Sequence, residues 1–168
     1  MYDAAVLINR QYPGTTTLYL DANFPFADGF PLIPHLSHND GKKLDLAFYY
    51  RRKDSGHYLS EAPSPIGYGI YEAPKAHEIN QPEICRKSGY SMMYNLPGLL
   101  FSPFGDETLE LEPGRTGRLL EILTRNPEIQ KIFIEPHLKQ RLQLNSSKIR
   151  YHGCYSVRHD DHIHLQIN

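Results

Sequence analysis

The chain has 168 residues and carries 18 Lys and Arg against 19 Asp and Glu, a net charge of −1. A length near this value is typical of one domain, and we expect residues 1–168 to form a single domain. The near-neutral charge provides no basic field to hold a polyanion, so nucleic-acid binding is not expected. No stretch approaches the roughly 18 uncharged apolar residues of a membrane-spanning helix, which argues against a membrane span.

Two cysteines, Cys85 and Cys154, are too few for a disulfide scaffold and do not have the spacing of a zinc ribbon. They could form a disulfide in an oxidising compartment or remain buried thiols. The N-terminal residues lack the basic region and the long apolar region of a secretory signal. We therefore expect either a periplasmic or extracellular protein whose export segment was removed, or a cytoplasmic protein.

Short segments rich in β-branched or aromatic residues predict strands in the first third of the chain. These segments span residues 4–9, 15–21 and 43–51. In the third segment, the two-residue period of a strand places Leu44 and Leu46 on one face and Asp45 on the other. Frequent prolines between residues 55 and 105 predict irregular walls there, with only brief regular elements.

The last third of the chain alternates between helix and strand signals. An apolar stripe predicts a helix over residues 116–125, with Thr116 as its N-cap, that covers the sheet. Residues 129–134 and 162–168 predict strands, and residues 136–142 predict a short helix that begins at a proline. Helices and strands without a regular βα repeat favour an α+β fold with a small, mainly antiparallel sheet covered by helices.

The closing strand presents a His-x-His motif. On a strand, His162, His164 and Gln166 share one face, while isoleucine and leucine side chains occupy the other and can anchor the strand. The two imidazoles then lie side by side, about 7 Å apart along the strand. One histidine is near enough to bind a metal while the other touches its bound water or a substrate. Alone, the motif also fits a solvated polar strand face.

A second group of metal-ligand types lies near residue 40. His38 precedes a turn at Gly41, and Asp45 follows at the start of the predicted strand, so the chain can fold back and bring both side chains to one cation. Together with His164, these residues make a set of two histidines and one aspartate. Three protein ligands with an open position are typical of catalytic zinc, whose water ionises near pH 7. Two imidazoles and a carboxylate also suit other divalent ions.

These motifs resemble those of the LAS-type zinc peptidases, which include D-Ala-D-Ala carboxypeptidases and dipeptidases and the penicillin-insensitive murein endopeptidases. The family signature is His-x6-Asp followed much later by His-x-His, matched here by His38, Asp45, His162 and His164. The string His-Asp-Asp-His-Ile-His at residues 159–164 is closest to the murein endopeptidase branch. The resemblance covers residues 33–50 and 129–168, and implies a LAS/hedgehog-like fold with long loops around a zinc cleft.

The resemblance implies a role for each matching residue. Zn²⁺ would be held by His38, Asp45 and His164, with water in the fourth position. His162 would act beside the metal by orienting or deprotonating that water or by stabilising the oxyanion, and His159 could share or support this role. Asp161 would either hydrogen-bond an imidazole or act as a general base. The remaining histidine of the pattern, His35, is an extra ligand of a resting state, a substrate contact or a surface residue.

The family usually places an Arg or Gln near the substrate carbonyl before the first zinc ligand, and this chain offers only Arg10 and Gln11 by type. The favoured function is a zinc peptidase that hydrolyses amide bonds in peptidoglycan peptides, most specifically a murein endopeptidase. A D,D-dipeptidase or carboxypeptidase, a cytoplasmic hydrolase of small peptides and a catalytically silent zinc-containing binding module remain alternatives. The other histidines, His57, His77, His137 and His152, are expected to have surface or hydrogen-bonding roles.

Overall fold

The computed structural model describes residues 1–22, 29, 38–90 and 106–168, which form helices and strands in a mixed α+β arrangement. The helices are α1 (Tyr2–Gln11), α2 (Gln81–Lys87), α3 (Pro113–Arg125) and α4 (Pro136–Arg141). The strands are β1 (Tyr19–Ala22), β2 (Lys43–Ala47), β3 (Tyr50–Arg52), β4 (Leu109–Leu111), β5 (Ile129–Phe133), β6 (Ile149–Arg150) and β7 (His162–Ile167).

Five of these strands form one sheet in the order β1-β2-β7-β5-β6, and β3 pairs with β4 in a separate ribbon. The pairs within the large sheet are antiparallel except for β5 and β6, which are parallel. The prediction of an α+β fold with a small, mainly antiparallel sheet is therefore confirmed. Among the described residues, no helix has both the length and the apolar character needed to cross a membrane.

The first predicted strand is wrong, because residues 4–9 lie within helix α1. Ala4 and Ile8 are buried and four residues apart, which places them on one face of a helix. Both belong to the hydrophobic core together with leucines of α3. Tertiary burial of this single face therefore outweighs the strand tendency of the short apolar run. The second predicted strand begins only at Tyr19, where β1 starts.

The third predicted strand is confirmed, but it is divided in two. β2 ends at Ala47 in the large sheet and β3 begins at Tyr50 in the ribbon. Between them, Tyr49 is buried in the core and its hydroxyl lies 2.6 Å from the Thr17 hydroxyl. Tyr49 thus packs in the interior, where the chain passes from the sheet to the ribbon.

Helix α3 begins three residues before the predicted start. Glu112 is its N-cap, and its carboxylate accepts hydrogen bonds from the backbone N–H groups of Gly114 and Arg115. The prediction of Thr116 as the N-cap is wrong: Thr116 lies inside the helix, and its hydroxyl accepts a hydrogen bond from the Tyr49 N–H. Pro113 at the first position needs no N–H partner, so the helix can begin there.

The core lies between helices α1 and α3 and one face of the large sheet. Leu119, Leu120 and Leu123 of α3 pack in one cluster with Ile163 and Leu165 of β7. This confirms that the apolar stripe of the predicted helix covers the sheet. Since alternate residues of a strand point to opposite faces, the residues of β7 between these core side chains project from the face opposite the helices. The other late predictions, the strand and short helix beginning at residues 129 and 136, agree with β5 and α4 to within one residue.

Candidate metal centre

Three donor atoms from distant parts of the chain meet on the face of the sheet opposite the hydrophobic core. His38 Nε2 lies 3.2 Å from Asp45 Oδ1 and 3.2 Å from His164 Nδ1, and His164 Nδ1 lies 2.9 Å from Asp45 Oδ1. Ligands about 2.0–2.1 Å from a tetrahedral Zn²⁺ are separated by roughly 3.3 Å, so this triangle suits one cation. All three residues are buried. The predicted convergence of these three side chains is therefore observed.

The strand register explains why two of the ligands meet. Asp45 and His164 are direct partners in the antiparallel β2–β7 pair, which lies in the middle of the sheet. Cross-strand partners have side chains on the same face, about 5 Å apart at their Cβ atoms. The flanking residues Leu44, Leu46 and Leu165 face the core or its margin, so burial on the opposite side fixes the orientation of both ligands. His38 then reaches the pair through the turn at Gly41, where φ is +72°.

The proline-rich segment provides a wall of the site. Tyr68 is buried, and its hydroxyl donates a hydrogen bond of 2.9 Å to Asp45 Oδ2. Its ring also makes an edge contact with His162, at 5.2 Å between centroids. Burial, together with the Asp45 carboxylate, raises the pKa of Tyr68. The tyrosine therefore remains a neutral donor that fixes the orientation of the Asp45 carboxylate, the type of support that metal-binding carboxylates receive from neighbouring side chains.

His162 lies beside this triangle, with its Nε2 atom 3.8 Å from Asp45 Oδ2. Its Nδ1 atom lies 2.6 Å from Asp161 Oδ1. Since an ionised carboxylate only accepts hydrogen bonds, Nδ1 carries the proton and Nε2 is directed at the site. The second oxygen of Asp161 accepts a hydrogen bond from the Gly69 N–H at 2.9 Å. One oxygen of Asp161 thus holds the ring of His162, while the other anchors the carboxylate to the backbone of Gly69.

His159 completes the group of buried imidazoles. Its ring centroid lies 5.0 Å from that of His162 and 5.4 Å from that of His164. The three residues offer ring nitrogens within 4.8 Å of one another, so they form a second group that could hold a metal ion. The backbone of His159 is held by Glu135, whose carboxylate accepts its N–H and whose own N–H donates to the His159 carbonyl.

The histidines of the cluster differ in protonation. Burial and the neighbouring imidazoles hold the pKa of His159 well below its usual range. Burial also lowers the pKa of His164, although Asp45 acts in the opposite direction. For His162, burial is outweighed by Asp45 and Asp161, which raise its pKa to about 9. His159 and His164 are therefore neutral near pH 7, the form in which an imidazole binds a metal.

Two residues beside the site are not singled out by the sequence. His152 is exposed, in agreement with the expected surface position, but its ring also lies 4.4 Å from that of Phe133, 5.5 Å from that of His159 and 6.2 Å from that of His164. Tyr68 likewise carries no motif that would single it out among 12 tyrosines. Only the tertiary fold brings either residue to the site, because both precede β7 in irregular segments.

The remaining sequence candidates lie elsewhere. His57 and His77 are exposed, as expected, whereas His137 is buried and contacts the carbonyl oxygen of Glu72 at 2.6 Å. Gln11 accepts a hydrogen bond from Arg118 of α3, in the helical layer. His35 lies outside the described residues.

A disulfide joins Cys85 of α2 to Cys154, which resolves the alternatives of a paired and an unpaired state. Cys154 lies in the segment between β6 and β7 that also carries His152 and His159. The hydroxyl of Tyr151 lies 3.0 Å from the sulfur of Cys85. The disulfide therefore attaches one wall of the histidine cluster to α2.

The comparisons with known proteins do not identify a family. No protein-family model matches the chain, and no curated protein is significantly similar to it in sequence. What the structure shows is a buried group, His38, Asp45 and His164, that could hold a metal ion.

Proposed function

We propose that this protein is a zinc-dependent peptidase that hydrolyses amide bonds in peptidoglycan peptides. The observation that carries the proposal is the triangle of donor atoms from His38, Asp45 and His164, with His162 oriented beside it. Two imidazoles and one carboxylate are a ligand set that suits catalytic zinc and leaves a coordination position for water or substrate. The short distances between the donors are consistent with a single shared cation.

A zinc ion bound by His38, Asp45 and His164 would supply Lewis acidity and a nucleophilic water near neutral pH. The chain holds the ligands for this task without large rearrangement, because the central strand pair positions two of them and Tyr68 supports Asp45. Prepositioned ligands avoid the reorganisation cost that a mobile site would bear.

His162 is proposed to transfer the proton at its Nε2 atom. Asp161 holds Nδ1 protonated and thereby selects the ring orientation in which Nε2 faces the reacting groups. A positioned general acid or base of this kind contributes about 10²- to 10⁴-fold to a rate. The ring of His159 packs against that of His162 and is proposed to support the oxyanion or the ring of His162. Asp161 acts by positioning, since both of its oxygens are already hydrogen-bonded.

Within this class, we favour a murein endopeptidase of the LAS type with a LAS/hedgehog-like fold. The string of residues 159–164 resembles that branch, and the site lies on the sheet face opposite the core, next to irregular segments that could accommodate a polymer. The disulfide favours a periplasmic or extracellular location, where such bonds persist. A D,D-dipeptidase or carboxypeptidase would use the same centre on shorter substrates.

The test compares His164→Ala with His77→Ala, which removes an exposed histidine away from the cluster. Each protein is loaded with Zn²⁺, its metal content is measured, and release of soluble muropeptides from purified peptidoglycan is followed. We expect the wild type and His77→Ala to bind one zinc and cleave, and His164→Ala to lose both properties. Hydrolysis that persists in His164→Ala would contradict the assignment.

A zinc-containing binding module is the second candidate. A LAS peptidase usually has an Arg or Gln near the substrate carbonyl, and Gln11 is one of two residues of this type before His38. Its side chain instead accepts a hydrogen bond from Arg118 of α3, in the helical layer, which favours a module without catalysis. The same experiment separates the two functions. Stoichiometric zinc in the wild type, with peptidoglycan bound in a pull-down but no fragments released, would support the binding module and overturn the peptidase.

A further inference from the structure

The site face of the sheet continues along β5 beyond the metal-ligand group. Phe133 is the register partner of His164, and Lys131 pairs with Gln166 two positions further along β7. An irregularity between Ile129 and Lys131 shifts the register of the β5–β7 pair by one residue on β5. Because of this shift, Ile132 points into the core as Ile129 does, while Lys131 and Phe133 lie on the opposite face with His164. The Cα atoms of Lys131 and Phe133 are then about 7 Å apart.

His152 occupies the rim between these residues and the solvent. Its ring packs on Phe133 at 4.4 Å between centroids and is nearly parallel to the ring of His164, at 6.2 Å and 23°. The residue is exposed, unlike His159, His162 and His164. Partial burial of its ring and the neighbouring His164 nevertheless lower the pKa of His152, and Lys131 is close enough for its charge to add to this effect.

Lys131 and His152 differ from most polar side chains around them because their donors are available. Over residues 1–22, 38–90 and 106–168, neither the Lys131 ammonium nor the His152 ring makes a hydrogen bond or an ion pair. By contrast, Lys139 and Lys148 donate to backbone carbonyls and Lys43 pairs with Asp40. A half-buried cation and an exposed imidazole thus lie on the same side of Phe133, next to the metal-ligand group.

We propose that Lys131 and His152 form a carboxylate-binding subsite that selects substrates with a carboxylate close to the scissile amide. An ammonium and a ring N–H can both donate to the two oxygens of one carboxylate, and such charge-assisted bonds are strong. One residue of extended peptide spans about 3.5 Å. A carboxylate one or two residues from a carbonyl at the metal therefore reaches the rim. This inference rests on the proposed peptidase function and assigns its substrate class, a peptide with a terminal or side-chain carboxylate.

The test uses the zinc-loaded protein and two probes, N-acetyl-D-alanyl-D-alanine and its C-terminal amide. Dissociation constants are measured by calorimetry, and kcat and KM are measured where cleavage occurs. We expect the wild type to prefer the carboxylate over the amide about 10-fold or more in Kd or KM, the effect of a charge-assisted hydrogen bond. The variants are Lys131→Met, which removes the charge, and His152→Phe, which keeps an aromatic ring on Phe133. Each should reduce this preference, and the double variant should bring it to about one.

Two controls make the outcome specific. Lys75→Met removes an exposed lysine from another loop and should retain the full preference. Zinc content, measured in every variant, shows whether the metal-ligand group is intact. A wild type without preference for the carboxylate would overturn the subsite. So would variants that keep the full preference, since the metal itself would then be reading the carboxylate. Failure of the peptidase proposal is seen separately as an absence of cleavage, because the binding measurement does not depend on turnover.

Discussion

Asp45 and His164 face each other directly across the β2–β7 pair, with Asp45 Oδ1 2.9 Å from His164 Nδ1. A central strand pair is the most constrained part of a sheet, because a slip of one residue would turn every side chain to the other face. The buried leucines and isoleucines beside the two ligands would then lose their place in the core. The hydrophobic core therefore enforces the geometry of the polar site.

Replacing Tyr68 tests the support of the carboxylate ligand. Tyr68→Phe removes the hydroxyl that donates to Asp45 Oδ2 but keeps the ring against His162. We expect zinc affinity to fall about 10- to 100-fold, as is typical when a partner of a metal ligand is lost. Affinity is measured by competition with a chelating dye. Tyr58→Phe, which removes a hydroxyl near Thr16 instead, serves as the control; equal affinities in the two variants would refute the role of Tyr68.

If His162 transfers a proton and does not bind the metal, its replacement should affect catalysis but not zinc content. His162→Asn should lower kcat for peptide cleavage by about 10²- to 10⁴-fold, the usual contribution of a general acid or base, while bound zinc stays near one per chain. Asp161→Asn should cause a smaller loss, because the asparagine no longer selects the ring tautomer of His162. Metal analysis and kinetics are performed on the same samples. A His162→Asn protein with wild-type kcat would exclude this residue from the chemistry.

The disulfide should contribute substantially to stability. Cys85 and Cys154 are separated by 69 residues in the sequence. Closing a loop of this size lowers the entropy of the unfolded chain and thereby stabilises the folded state by about 4 kcal/mol. We expect a reducing agent to lower the urea midpoint of the wild type. The double variant Cys85→Ser, Cys154→Ser should show a low midpoint that no longer responds to the reductant. A wild-type midpoint that is insensitive to complete reduction would show that the bond adds no stability.

His137, which is not one of the metal ligands, makes the free energy of unfolding depend on pH. Burial lowers its pKa below the ordinary value of 6.5. The unfolded chain therefore takes up a proton before the folded chain does, and stability falls as the pH drops below about 6.5. The slope from this one group is at most about 1.4 kcal/mol per pH unit.

The variant His137→Gln isolates this effect, because its amide can still donate to the Glu72 carbonyl but does not titrate. The free energy of unfolding is measured for both metal-free proteins between pH 5 and pH 8. Between pH 8 and 7 the difference between them should be constant, and below that it should change in favour of the variant. Parallel curves over the whole range would contradict the assigned protonation.

Local patterns in the sequence predicted the elements that carry the ligands. The alternation in β7 and β2 was sufficient to place His162, His164 and Asp45 on the face opposite the core. Helix α1 was not predicted, because two buried residues at a spacing of four are a weak signal until the packing partner in α3 is known. The N-cap of α3 was misplaced because several residue types upstream can cap a helix.

Contacts between irregular segments and the sheet were not accessible to sequence patterns. Tyr68 and His152 reach the cluster through the paths of loops, which follow from tertiary packing and have no period to detect. The positioning role of Asp161 depends on its two hydrogen-bond partners, His162 and the Gly69 N–H, and the sequence alone does not place Gly69 beside it. Motifs thus identify the donors of such a site, while the side chains that orient those donors emerge from the fold.

Zinc binding by the three proposed ligands is the most direct test of the central claim. The protein is stripped with a chelator, dialysed against buffered Zn²⁺ and analysed for metal alongside Asp45→Asn and His164→Ala. We predict one tightly bound zinc per wild-type chain and a large loss of affinity in both variants. A wild-type protein that binds no zinc, or variants that bind it as tightly as the wild type, would contradict the account.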